Sequence, residues 1–482
     1  MKGLRSKGFI FLLVLAFVLS ACSSGTPKTE GTNNGTNEPA ANTTGNAAEP
    51  ADTNAANDPK ADNKAEEGTA AEKVTDPNMS GNVTFWTFTA DIYKPIIKEF
   101  NKVYPNIKIN LVGIDFGGMH DKLQTTLAAG KGAPDVAQVE QGQFPRYLKG
   151  DVLEDLLKPP FNAGQYKDDT SEYNWIRWMS QDNSKLYGMP WDVTPGVLYY
   201  RADIFEELGI ESDPEALAEV IADGDGWINV VETLTANKKY GMEWRDGPVH
   251  WAGDVTGYFD KDFNWLRNTD ELVQVLDVTK RQNQLKVAPH MSGMYDDKGK
   301  ALTKSGQLTA MALGSWGARD IAKIFPDQKG KWRATALPLN ISVGMGGSTF
   351  VFPKQASAAN KEASWKFVEW MQFSEEAWKI FVANSVQPGW KSITQLGWYQ
   401  ELKNDYLGGQ NDFALYSSLA DRIPPRKITA LDGKAWDIWL KGVLNALDKN
   451  VDSKTTLNNI EDEIKRKLTP EIDKLKKELA TP

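Results

Sequence analysis

Residues 81–140 read GNVTFWTFTADIYKPIIKEFNKVYPNIKINLVGIDFGGMHDKLQTTLAAGKGAPDVAQVE. Val83, Phe85 and Phe88 lie in a short β-rich run. Ile92, Ile96, Phe100 and Val103 then recur at near-helical spacing on one face. Ile107, Ile109 and Leu111 alternate with polar residues as a half-buried strand does. The spacing next predicts a helix over 120–129, stopped at Gly130, and a strand over 136–139. Strand and helix alternating at this interval predict βα units, an α/β class and an open, largely parallel sheet. Such sheets hold ligands beyond the carboxyl ends of their strands. The loops that leave Thr87 and Glu140 are therefore candidate binding loops.

Upstream, the chain concerns delivery. Lys2, Arg5 and Lys7 precede an apolar run from Phe9 to Leu19, too short to cross a bilayer and matching a secretory signal. Leu19-Ser20-Ala21-Cys22 resembles a bacterial lipobox, and Cys22 is the only cysteine of the chain. Residues 1–22 are thus expected to be a lipoprotein signal peptide, with Cys22 lipidated and the mature chain anchored to the membrane. Residues 23–80 contain no Leu, Ile, Phe, Tyr or Trp. They cannot bury enough apolar surface to offset ordering entropy, so they are expected to form a disordered acidic tether. A tether of that length suits a thick cell wall and points to a Gram-positive source.

Composition narrows the partners. The 482 residues carry 55 Lys and Arg against 64 Asp and Glu, a net charge of −9. An acidic chain is a poor ligand for phosphate backbones, so nucleic-acid binding is not expected. One cysteine excludes an internal disulfide, and three scattered histidines (His120, His250, His290) disfavour a metal centre. The 17 Trp outnumber the 14 Tyr. Indoles are costly to expose and broad enough to act as flat platforms.

Beyond the opening passage, several motifs recur in a familiar order. They run from Phe85-Trp86-Thr87 through the 127–136 stretch LAAGKGAPDV to Tyr187-Gly188-Met189-Pro190-Trp191-Asp192 and Leu198-Tyr199-Tyr200-Arg201. Ala310-Met311-Ala312-Leu313-Gly314-Ser315-Trp316 and Gly346-Gly347-Ser348 follow. In this order, behind a lipobox and tether, they resemble the extracellular solute-binding proteins of carbohydrate ABC transporters, the maltose-binding-like group. The resemblance implies a two-lobed α/β fold of the periplasmic-binding-protein type (type II). One lobe would span about 81–193 and 351–395, the other about 197–346 and 400–482. Hinge crossings would fall near 192–196, 346–349 and 396–400. The implied function is a monomeric, lipid-anchored, non-enzymatic receptor on the outer face of the membrane. It would capture a carbohydrate, most simply an oligosaccharide, and pass it to permease subunits.

A saccharide offers hydroxyl groups and flat C–H faces, so its site needs aromatic surfaces and a few well-placed polar groups. Trp86, Trp191, Trp316 and Trp436 fall at loops or motif ends expected to border the cleft, and Trp244 and Trp251 flank a Gly/Asp-containing stretch. Core packing is the competing account of each tryptophan. Trp365, Trp370 and Trp378, on an amphipathic helix with Phe367, Val368 and Phe381, are assigned to the core. Glu140, Gln141 and Gln143 follow the third strand, Asp192 lies in the first crossing, and Ser348 in the second. Each is a candidate hydroxyl partner, with a turn or loop role as the alternative.

Residues 221–232 (IADGDGWINVVE) partly match a calcium-binding EF-hand loop through Asp223, Asp225 and Glu232. Ile221 replaces the first carboxylate, so a polar turn before a helix is the simpler account, with calcium as the alternative. A Trp-lined cleft with acids also describes a secreted glycoside hydrolase, and the tether would suit a surface adhesin. No nucleophile elbow, P-loop or HExxH pattern appears.

Overall fold

The computed structural model describes residue 76, residues 78–290 and residues 293–480. The signal segment, the Cys22 lipidation site and nearly all of the expected tether lie outside these residues.

Strand β1 (Gly81–Thr87) leads into helix α1 (Ala90–Val103), which buries Ile92, Tyr93, Ile96 and Phe100. Strand β2 (Ile107–Gly113) and helix α2 (Phe116–Ala128) follow, then β3 (Val136–Glu140). Helix α2 starts four residues before the predicted boundary. Asp115 accepts a hydrogen bond from the Gly118 amide at 2.9 Å and so caps an earlier turn. Strand β4 (Gly188–Pro190) ends this part of the chain. Strands β5 (Gly196–Arg201), β6 (Ala310–Gly314), β7 (Trp332–Thr335) and β8 (Ser348–Val351) complete the set.

These strands form two sheets. One runs β2-β1-β3-β8-β4 and the other β6-β5-β7. β1 pairs in parallel with β2 and β3, as the βα pattern predicts. The remaining pairs are antiparallel: β8 with β3 and β4, and β5 with β6 and β7. The parallel expectation therefore holds only for the stretch with crossover helices. Strand β8 is inserted from a distant part of the chain between β3 and β4. The chain thus leaves the first sheet after Pro190, builds the second, and returns at Ser348.

Each sheet has its own core. Around the five-stranded sheet, Phe85 meets Tyr93 edge-on at 4.9 Å, and the Ala358–Phe373 helix adds Trp365 and Phe367. Around the three-stranded sheet, Tyr199, Met311 and Trp332 are buried on one side, and Leu198, Tyr200 and Trp227 on the other. A further cluster joins the Gly247–Thr256, Asp432–Lys449 and Ser453–Leu479 helices through Val249, Trp439, Val443, Leu457 and Ile464.

Candidate functional site

Where the chain runs Met242-Glu243-Trp244-Arg245-Asp246 into the Gly247–Thr256 helix, it walls a cavity of about 360 Å³. The opposite wall is the Asp432–Lys449 helix, whose Trp436 and Leu440, four residues apart, face the same space. Trp244, Trp251 and Trp436 all line it, with Glu243, Asp246 and His250 as its ionisable groups. Among the described residues, no Lys or Arg lines it. Arg245 turns away to pair with Asp448 at 2.7 Å. Gly247 is required here because a Cβ would strike the Trp251 ring at 2.5 Å. Six large apolar side chains stand exposed among the described residues, and Trp244 (43 %) and Trp436 (38 %) are two of them. Two exposed indoles facing one cavity form an apolar surface that a ligand can cover.

Glu243 is 3 % exposed, and its Oε1 accepts from the Met294 amide at 3.3 Å. Burial pushes its carboxyl up to about 7, partly opposed by that hydrogen bond. A buried carboxyl with no cation beside it is a strong acceptor for hydroxyl donors. Sequence reading missed this residue, although an acid directly before Trp244 was the available signal.

A second polar group lies where the chain passes between sheets. Asp192 Oδ1 accepts from the Ser348 amide at 2.6 Å, tying the first crossing to the second. Arg177, fully buried, donates to Gln141 Oε1 at 3.0 Å, to the Gly346 carbonyl at 3.2 Å and to the Asp192 carbonyl at 2.7 Å. Gly346 and Gly347 hold φ of +83° and +97°, conformations that favour glycine, and so allow this turn. Glu140 accepts from the Gly142 amide at 2.8 Å. Burial raises the Glu140 carboxyl to about 7 and that of Asp192 to about 6. The Gln141–Tyr147 turn, which follows β3 directly, touches the Asp432–Lys449 helix that carries Trp436.

The predicted residues divide accordingly. Trp244, Trp251 and Trp436 meet in one cavity. Glu140 and Trp316 flank Gly346, and Trp316 Nε1 donates to the Met345 carbonyl at 3.3 Å. Gln141, Asp192 and Ser348 are buried in the crossing network, and Gln143 is half-buried beside it. Two expectations need correction. Trp191 is 2 % exposed and packed among Tyr93, Phe350 and Phe381, so the structure gives it no open face as a platform. Trp86 is 5 % exposed, with Lys122 Nζ 4.3 Å from its ring centroid, so it too is covered.

The calcium alternative meets a plain conformational obstacle. Asp223 caps the Gly224–Ala236 helix by accepting from the Asp225 and Gly226 amides, and Asp225 pairs with Arg281 at 2.7 Å. Glu232 lies inside that helix. The segment is therefore a helix start and not a liganding loop, and among the described residues no cluster of three His, Cys, Asp or Glu could hold a metal.

Comparison with known proteins supplies the family. The profile of the bacterial extracellular solute-binding protein family matches residues 86–378. The chain belongs to that family. Its members are binding proteins of ABC importers, not enzymes. Among curated relatives, the arabinooligosaccharide-binding protein of Bacillus subtilis is 26 % identical over 400 residues, covering 78 % of this chain and 90 % of the relative. The lactose-binding protein of Rhizobium radiobacter is 26 % identical over 369 residues, covering 72 % and 83 %. Among solved structures, the sugar-binding protein MalE of Xanthomonas citri superposes with a TM-score of 0.67 at 18 % identity. That match covers 83 % of this chain and 100 % of the other. The galacto-N-biose/lacto-N-biose I-binding protein of Bifidobacterium longum gives 0.65 at 20 % identity, covering 82 % and 98 %. The two-lobed type II fold of this solute-binding protein is shared with both.

Proposed function

We propose that this family member captures a neutral oligosaccharide between its lobes and presents it to the permease of an ABC importer. One observation carries the reading: three indoles and a buried carboxyl share a cavity that, among the described residues, no Lys or Arg lines. Indole faces suit the C–H patches of sugar rings, Glu243 suits hydroxyl donors, and the absence of a lining cation disfavours uronates. The relatives named for arabino-oligosaccharides and lactose support the same ligand class. Trp436, Trp244 and Trp251 form the platform, and Trp316 and Glu140, beside Gly346 in the second crossing, are further candidate contacts. Closure is favoured only to the extent that sugar binds the closed state more tightly than the open one. The lipobox at Cys22 supports tethering to the outer face of a cell membrane, and the long acidic segment supports a Gram-positive wall.

Calorimetric titration of the chain lacking residues 1–22 tests this. A panel of arabino-oligosaccharides, lactose, malto-oligosaccharides and a uronate oligomer is suitable. Saturable binding of a neutral member without release of cleaved product is the expected result. Binding of none of them, or turnover of any, overturns the reading.

A further inference from the structure

We infer that His250 is a positioning residue, whose imidazole sets the orientation of Trp436 at the mouth of the sugar pocket. This rests on the ligand reading above. His250 lies on the Gly247–Thr256 helix and is 9 % exposed. Its Nδ1 stands 2.7 Å from the indole nitrogen of Trp439, and its Nε2 stands 2.8 Å from Asp246 Oδ2. An indole N–H can only donate, so Nδ1 must carry a lone pair. The ring proton therefore sits on Nε2 and is given to Asp246, which fixes the tautomer and the ring plane together.

Trp439 is one helical turn beyond Trp436 on the Asp432–Lys449 helix, but it is fully buried where Trp436 is exposed. The Trp439–His250 bond thus fixes the rotation of that helix against the Gly247–Thr256 helix. The imidazole also packs beside the Trp436 ring itself, with centroids 5.0 Å apart and planes inclined by 53°. One side chain accordingly holds the helix that carries the platform and supports the platform directly. Asp246, 4 % exposed, anchors the other end of the relay. An apolar replacement of His250 would fill the space but strand a buried indole N–H and a buried carboxylate, leaving Trp436 without its defined neighbour.

The His250→Gln variant would preserve the order of the bonds, since an amide oxygen can accept from Trp439 while its NH2 donates to Asp246. The experiment compares His250→Leu, His250→Gln, Trp436→Ala and the His250→Leu/Trp436→Ala double variant, using the tightest-binding neutral sugar of the panel as probe. His250→Leu is expected to weaken binding at least fivefold, and His250→Gln to bind within threefold of the parent. The double variant is expected to bind no more weakly than Trp436→Ala alone, because both changes remove one function. Nitrogen-15 spectra of the ligand-free protein should show an Nε2–H tautomer and a hydrogen-bonded indole N–H that His250→Leu removes. Parent-like affinity in His250→Leu, multiplying losses in the double variant, or an Nδ1–H tautomer overturns the proposal. If Trp436→Ala binds like the parent, the pocket reading falls and the positioning role with it, while the ligand-free spectra report separately whether the relay exists.

Discussion

Trp191 and Trp436 show how one residue type serves two purposes in one chain. Both were expected to border the cleft, and burial separates them: 2 % exposure against 38 %. Trp191→Ala should leave a cavity among Tyr93, Phe350 and Phe381 and cost about 3–5 kcal/mol of stability in urea unfolding. The fraction that remains folded should still bind sugar. Trp436→Ala should do the opposite, losing tenfold or more in affinity, about 1.4 kcal/mol, with little change in the unfolding midpoint. Calorimetry and urea titration of both variants would expose a reversed pattern at once. Glu243 adds a separate residue-scale expectation. Hydroxyl donors favour its ionised form, so binding near pH 6.5 should release protons, and Glu243→Gln should release fewer. Titration in two buffers of different ionisation enthalpy measures the difference.

At the scale of elements, the Ser453–Leu479 helix is instructive. Thr469-Pro470 has the signature of a new helix start, yet the helix runs straight through it. Leu457, Ile460, Ile464, Leu468 and Leu475 keep one face buried on both sides of the proline, and that packing outweighs the lost backbone bond. Pro470 is exposed. Pro470→Ala should therefore stabilise the protein. The gain is bounded by the roughly 3 kcal/mol that an interior proline costs, less about 0.4–1 kcal/mol of unfolded-chain entropy that it removes. An unchanged or lower unfolding midpoint would contradict this. The crossings depend on a different kind of bond. Arg177 satisfies carbonyls from both, so Arg177→Met should cost about 3 kcal/mol or more, because several buried acceptors lose a charged donor together. Chemical unfolding measures that loss.

Across the whole molecule, buried carboxyls make stability depend on pH. Burial holds Glu140 and Glu243 at about 7 and Asp192 at about 6, whereas carboxyls of an unfolded chain ionise near 4. Between those limits the folded state binds protons that the unfolded state has lost. Stability of the ligand-free protein should therefore fall as pH rises from about 4 to about 7, as far as these three groups are concerned. Sugar should reverse part of that fall, since it stabilises the folded form by mass action and offers hydroxyl donors to the same groups. Thermal unfolding across this range, with and without ligand, checks both statements. Hydrogen bonds also tie residues 179–183 to segments far along the chain. Lys427 donates to the Met179 and Ser180 carbonyls and to Asn183, and Gln181 donates to the carbonyls of Asp260 and Lys261.

Local sequence carried the elements whose period is short. The β1–α1–β2–α2–β3 run was legible because apolar residues recur at 2 or 3.6, and the ordered motifs carried the family. Trp365 and Trp378 were legible as core from their apolar neighbours, although the one helix expected there is two, parted at Ser374, and Trp370 is only half-buried against that core. Pairing of β8 with β3 was not, since Ser348 and Glu140 lie far apart in the chain and antiparallel entry leaves no local mark. Nor could sequence say that Trp244, Trp251 and Trp436 share one cavity while Trp191 and Trp86 are covered, or that His250 and Arg177 matter. Side-chain periodicity reports which face of an element is buried. Which buried faces meet, and which indoles remain uncovered, depends on how separate lobes pack, and that is set only when distant segments come together.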